Sequence, residues 1–273
     1  MSEYITKIRT DQGDKQIDYN ALANLPTISN PSLLINSDFR NPINQRGQTS
    51  YTGGGIYSID RWMLGSSATL TVQDGSIKFE QSSGATNTGR LVYKFENALP
   101  TNYYTISVKV LSCNGGASMD DFGTIADGFT GVFTATTTSE KELSTLRFYI
   151  AAGRSIEIEW IKLEQGAVAT PFVPRLYAEE FIMCQRYYQR FQKLPIYTAS
   201  SDGLTYRGLV YNIPMRTGII VNVTGLYNSS GAEVATSTVT STSINVYNFS
   251  NMVLSSSLGQ YGYVSYTLDA EIY

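Results

Sequence analysis

The chain has 273 residues, 42% hydrophobic and only 16% charged, with a formal net charge of −3. It has no basic run, which argues against nucleic-acid binding, and no apolar run near the roughly 18 residues that a membrane span needs. There are no histidines, which excludes Ser-His-Asp and Cys-His catalysis, His-ligated metals and His-based acid–base chemistry.

The low charge is made up by Ser, Thr, Asn, Gly and 20 Tyr, a polar and β-rich composition of the kind extracellular adhesive proteins carry. Tyr, Ser, Gly and Asn supply rigid contact area and adaptable hydrogen bonds at binding surfaces. The same residues are also common wherever strands and turns abound. The start of the chain, MSEYITKIRTDQGDKQID, has no apolar core and does not read as a signal peptide. A protein acting outside a cell without one would leave by lysis.

Residues 1–30 form a short extension. YITKIRT alternates as a strand, and DQGD has turn composition. Ile5, Ile8, Ile17, Leu22, Leu25 and Ile28 give this segment apolar residues that so short a piece cannot bury alone. It must therefore pack on the next domain or on symmetry mates, and a homotrimer would provide that.

Residues 31–167 read as a jelly-roll-like β-sandwich of nine short strands broken by Gly, Ser and Asn turns. Tyr104, Ile106, Val108 and Val110 alternate with Thr105, Ser107 and Lys109, the period of a half-buried strand. LLINSDF opens the set and IEIEWIKLE closes it. Trp160 alternates with Ile156 and Ile158 and so reads as core. Within SYTGGGIYSIDRWM, Tyr51, Tyr57, Asp60, Arg61 and Trp62 sit beside Gly53, Gly54 and Gly55. Flat aromatic faces with charged neighbours suit sugar binding, and the glycines would let the loop approach a ligand. Trp62 is equally readable as core, and Arg61 as a structural partner of Asp60.

Residues 168–195 form a linker and the one substantial helix. Pro171 and Pro174 force an extended crossing, and Glu179 and Glu180 suit a helix N-terminus. Tyr177, Phe181, Cys184, Tyr188 and Phe191 recur at spacings of four and three as a single apolar stripe, which reads as an assembly face. Lys193 and Pro195 close the helix. Cys113 and Cys184 fall in different elements and read as free thiols.

Residues 196–273 read as a smaller β-sandwich of five strands. Tyr206, Arg207, Tyr211, Tyr227, Asn228, Tyr247, Asn248, Tyr261 and Tyr263 make it a second candidate glycan surface. The fold class is therefore mainly β, with two sandwiches joined by one helix.

LEQGAVATPFVPRLYAEEFIMCQRYYQRF resembles a segment that recurs in tail fibres and receptor-binding proteins of tailed bacteriophages, where it follows a carbohydrate-binding-module-like sandwich. The shared pattern is Leu-Glu-x-Gly-x-x-A-T-P-F-x-P-R and then C-Q-R-Y-Y. IDYNALANLPTI resembles linkers of trimeric phage fibres, and YNIPMR and DAEIY resemble the region that follows C-Q-R-Y-Y. LLINSDF and IEIEWIKLE resemble the first and last strands of carbohydrate-binding-module sandwiches, whose termini lie close together. The resemblance implies a virion tail protein, assembled in the host bacterial cytoplasm, that attaches to tail or baseplate proteins by its N-terminus. It implies adsorption to host cell-surface glycans by a homotrimer, without catalysis, nucleic acid or membrane insertion. Such sandwiches often hold a structural Ca²⁺, for which Asp38 and Glu164 are the candidate ligands. Asp120, Asp121 and Asp127 form a second acidic group. The alternatives are a structural spacer that binds no sugar and a polysaccharide depolymerase. Glu157 with Glu159, and Asp120 with Asp121, read as surface charges rather than a catalytic pair.

Overall fold

A computed structural model describes residues 7–10, 13–16, 29–197, 204–205, 209–210, 213–216, 220–233, 239–244, 248–255 and 261–271. The N-terminal alternation forms a strand, β1 (Lys7–Thr10), antiparallel to β2 (Gly13–Gln16). The linker-like stretch 17–28 lies outside the described residues.

The sandwich strands follow in order. They are β3 (Ser50–Gly53), β4 (Ile56–Tyr57), β5 (Trp62–Leu64), β6 (Ala68–Gln73), β7 (Ser76–Glu80), β8 (Gly89–Asn102) and β9 (Tyr104–Asn114). Then come β10 (Ala117–Met119), β11 (Gly123–Ile125), β12 (Gly131–Thr136), β13 (Lys141–Ile150) and β14 (Ser155–Gln165). One six-stranded sheet runs β11-β10-β13-β8-β5-β4 and the other β12-β9-β14-β7-β6-β3. Their pairings are antiparallel. Trp62, Leu64, Leu91, Tyr93 and Phe148 of the first sheet pack in one core with Leu70, Phe79, Ile106, Val108 and Ile161 of the second. Each such side chain contributes about 1.5–3 kcal/mol of burial.

Tyr104, Ile106, Val108 and Val110 of β9 are buried as read, but Thr105 and Ser107 on the other face are buried as well. LLINSDF runs beside β14 without forming a regular strand. Leu33 N–H donates to the Leu163 carbonyl at 2.8 Å, Ile161 N–H to Ser37 at 2.9 Å, and Phe39 N–H to Glu159 at 2.8 Å. The two ends of the sandwich therefore lie side by side, as expected.

Two readings are corrected. Trp160 is half-exposed and stacks on Phe172, ring centroids 4.6 Å apart and 7° from parallel. The β14–β9 register shifts between Glu157 and Ile158 and again between Ile158 and Trp160. A bulge re-aims the side chains that follow it, so Ile161 and Leu163 turn inward where Trp160 would have. The helix is also shorter than its stripe. It is α1 (Tyr177–Gln185), nine residues long. Tyr188 and Phe191 lie instead on strand β15 (Tyr188–Tyr197). Aromatic side chains favour strands, and a sheet partner is available. Phe191 stacks on Tyr266 at 4.8 Å.

The rest of the chain forms β16 (Leu204–Thr205), β17 (Leu209–Val210), β18 (Ile220–Asn228), β19 (Val239–Ile244), β20 (Asn248–Ser255) and β21 (Tyr261–Asp269). One sheet runs β15-β21-β18, and β20 pairs with β16, β17 and β19 in another. Ile196, Met215, Leu226, Val264, Tyr266, Leu268 and Ala270 form a second core.

Candidate functional site

The predicted sugar loop leads to the contact between the sandwich and the β15–β21 sheet. Its centre is a buried charge cluster. Arg61 Nη1 meets Glu271 Oε2 at 2.6 Å, with the two side chains 1% and 0% exposed. The Arg61 N–H also donates to Glu271 Oε1 at 3.1 Å. The Arg61 guanidinium lies over the Tyr187 ring at 3.7 Å and the Tyr93 ring at 5.0 Å. Arg61 has φ +71, a conformation that costs a non-glycine residue about 1–3 kcal/mol and persists only where the surroundings hold it.

Asp60 pairs elsewhere. Arg46 Nη1 reaches Asp60 Oδ1 at 3.2 Å, and Gln45 Nε2 donates to Asp60 Oδ2 at 2.6 Å. Burial pushes the Asp60 carboxyl up to about 7, against the pull of Arg46 and Gln45. Arg46 Nη2 makes no hydrogen bond among the described residues and stands 3.6 Å from Glu271 and 3.8 Å from Asp269. The Arg46 guanidinium lies 3.9 Å above the Tyr188 ring and 5.4 Å from that of Tyr57. Asp60 and Arg61 are thus structural, but each through a distant partner rather than through the other.

Above this cluster is a cavity of about 390 Å³ whose lining includes Arg46, Gln48, Tyr51, Tyr57, Tyr188, Arg190, Thr224 and Asp269. The structure brings together Tyr51 and Tyr57, expected from sequence, with Tyr188, which the sequence reading placed on a helix. It removes Arg61 and Trp62 from the sugar set. Trp62 is wholly buried, packed edge-on against Phe39 at 5.5 Å and Tyr93 at 5.2 Å, and its Nε1–H donates to the Asn36 carbonyl at 2.7 Å. Neither residue offers a face to a sugar. Arg46, Gln48, Arg190 and Asp269 were missed. The polar run NQRGQTSY was the available signal for the first two.

The glycine run serves the loop itself. A Cβ on Gly54 would stand 2.9 Å from the Ser66 carbonyl carbon and the Ser67 nitrogen, so the close approach is between two backbones, not backbone and ligand.

The second candidate surface is only partly described. Tyr206, Arg207, Tyr211 and Tyr247 lie outside the described residues, and Tyr261 and Asn248 are described only as strand positions. Tyr263 lies on β21 opposite Tyr227 and is not among the residues lining the cavity. Lys193 Nζ sits 4.8 Å from the Tyr227 ring. Asn228 builds a turn, its Oδ1 accepting from the Ser230 N–H at 3.1 Å and the Ala232 N–H at 3.0 Å.

The metal candidates are already occupied. Asp38 accepts two bonds from the Arg40 guanidinium, at 2.7 and 2.8 Å. Glu164 pairs with buried Lys162 at 3.2 Å and accepts from the Thr170 N–H at 2.8 Å and hydroxyl at 2.6 Å. The Lys162 ammonium also donates to the Thr170 and Pro171 carbonyls at 3.0 Å each. The Lys162 ammonium thus lies among oxygens of Glu164, Thr170 and Pro171, while Asp38 pairs separately with Arg40. Asp120 pairs with Arg147, and Asp121 with Lys141. Among the described residues no group of three or more Asp, Glu or Cys could hold a metal ion.

The helix stripe does not form one face. Tyr177 is exposed and stacks with Phe181 at 6.3 Å, Cys184 is buried, and Tyr188 and Phe191 belong to β15. Cys113 and Cys184 are free and buried. Among the described residues no helix is long and apolar enough to cross a membrane.

No protein-family profile matches the chain, and no curated protein matches it. Among solved structures, similar chains include a mutant of a family 29 carbohydrate-binding module. It is 12% identical, with a TM-score of 0.33 over 47% of this chain and the whole of that one. The likeness is distant, and the sandwich assignment rests on the strand pairings themselves.

Proposed function

We propose that this chain is a glycan-binding protein that acts without catalysis. The observation that carries this reading is the cavity between the sandwich and the β15–β21 sheet. Three tyrosines, two arginines, a glutamine and an aspartate converge there. Tyr51, Tyr57 and Tyr188 are largely buried and would form the floor, while the exposed Gln48, Arg190 and Thr224 would bond sugar hydroxyls. Asp269 is the one carboxylate among the described residues lining it, whereas glycoside hydrolysis needs two at a set separation.

On the resemblance of Leu163–Phe191, we place this binding in a bacteriophage tail fibre or receptor-binding protein, assembled in a bacterial cytoplasm and acting on the virion. Its N-terminal segment would join tail or baseplate proteins. Weak contacts from several copies would then add up on one particle. Self-association is supported by Val168, Val173, Leu176, Tyr177 and Ile182, all large apolar residues left exposed. That set replaces the predicted stripe as the assembly surface.

A glycan array with host cell-wall and capsule sugars tests the binding, and silence across it sinks the reading. Release of reducing ends from host polysaccharide would overturn the absence of catalysis. Light scattering tests the trimer, which a solution mass near 30.1 kDa would refute.

A further inference from the structure

Arg190 belongs to two depressions at once. It lines the tyrosine cavity of about 390 Å³ and also a second one of about 400 Å³ formed with Asn44, Gln45, Gly47, Phe181 and Gln192. The second has the same chemistry as the first, an aromatic ring beside amide groups. The two are therefore neighbouring compartments that meet at one guanidinium.

Asp269 lines the same cavity as Arg190, but the guanidinium at that meeting point is not paired directly. Arg46 is matched by Asp60, Asp269 and Glu271. Exposed Arg190 forms no salt bridge with a carboxylate among the described residues. Its Nη1 donates to the Arg46 carbonyl at 3.3 Å. The Gln192 amide lies beside the guanidinium and would accept at 2.9 and 3.2 Å with its oxygen turned toward Arg190. These neutral acceptors orient the guanidinium without neutralising it. Gly47 makes room, since a Cβ there would come within 2.9 Å of Arg190 Nη1. An oriented guanidinium lacking a carboxylate suits the planar, two-point recognition of an anionic group.

We infer that the site takes an acidic oligosaccharide of two or more units, one unit in each depression, with a carboxylate or an esterified phosphate or sulfate held by Arg190. This rests on the glycan-binding reading above. The test uses the full chain on an array of neutral and acidic oligosaccharides of one to six units. Arg190→Gln and Arg190→Lys are compared with wild type. Arg190 is exposed, so both variants should melt with wild type. The expected result is retention of acidic oligomers, a loss of about tenfold or more in Arg190→Gln, and partial recovery in Arg190→Lys, which keeps charge but not the planar fork. Preference for neutral sugars, equal binding of single units and oligomers, or an unchanged Arg190→Gln overturns this inference and leaves the glycan reading standing. Retention of no sugar at all overturns both.

Discussion

Arg61 and Glu271, separated by 210 positions, form an ion pair at 2.6 Å that is almost completely closed to solvent. It ties the strained turn of the sandwich to the segment that follows β21. A buried pair adds little against an apolar replacement, but breaking one side of it leaves an uncompensated charge.

Glu271→Gln keeps the shape and removes the charge. It should cost about 3–5 kcal/mol in urea unfolding. The double variant Arg61→Met with Glu271→Leu should recover much of that loss. Losses that simply add would contradict the coupling.

Asp60 gives a pH dependence of defined sign. In the unfolded chain its pKa is near 3.8, whereas burial raises it to about 7 in the fold. Between those values the fold holds a proton that the unfolded chain has released, so this group's contribution to stability falls as pH rises to about 7 and is level above. Glu96, held low by Arg186 and Tyr187, acts in the opposite sense at more acid pH. Wild type should therefore melt lower at pH 8 than at pH 5, and Asp60→Asn should reduce that difference. An undiminished difference in the variant would assign it elsewhere.

Gly47 is left-handed, with φ +73. Gly47→Ala should cost about 1–2 kcal/mol through that conformation and should push the Arg190 guanidinium aside. Melting reads the first effect and loss of acidic-glycan affinity the second. Unchanged affinity would show that Arg190 does not depend on this glycine.

Lys162 is buried beside Glu164. Lys162→Met leaves that carboxylate unpaired and should cost about 3–5 kcal/mol, read by urea unfolding. A chelator should leave the wild-type melting temperature unchanged, because Lys162 already supplies the positive charge. A drop with chelator would restore a metal to the site.

The sandwich was legible because its alternation is local. Tyr104, Ile106, Val108 and Val110 point inward in the structure as their spacing says. Trp160 was not legible, because the bulge that turns it outward is set by the ladder with β9. The end of the helix was hidden because Tyr188 and Phe191 fit a helical stripe as well as a strand, and pairing with β21 decides between them. Tyr51 and Tyr57 could be found in the sequence as aromatics beside a glycine run. Arg46, Arg190 and Asp269 could not be joined to them, since only the docking of β15 and β21 against the segment 44–57, which carries β3 and β4, brings the five together.

Thr224 offers the most direct test of the groove. It is exposed, lines the tyrosine cavity, and lies at the register shift between Val223 and Gly225. Thr224→Trp should therefore fill the cavity without unfolding the chain. Glycan-array binding and melting of wild type and this variant should be measured together. The account predicts that wild type retains sugars and that Thr224→Trp melts with wild type but loses them. Full binding by a folded Thr224→Trp, or no sugar retained by wild type, would contradict it.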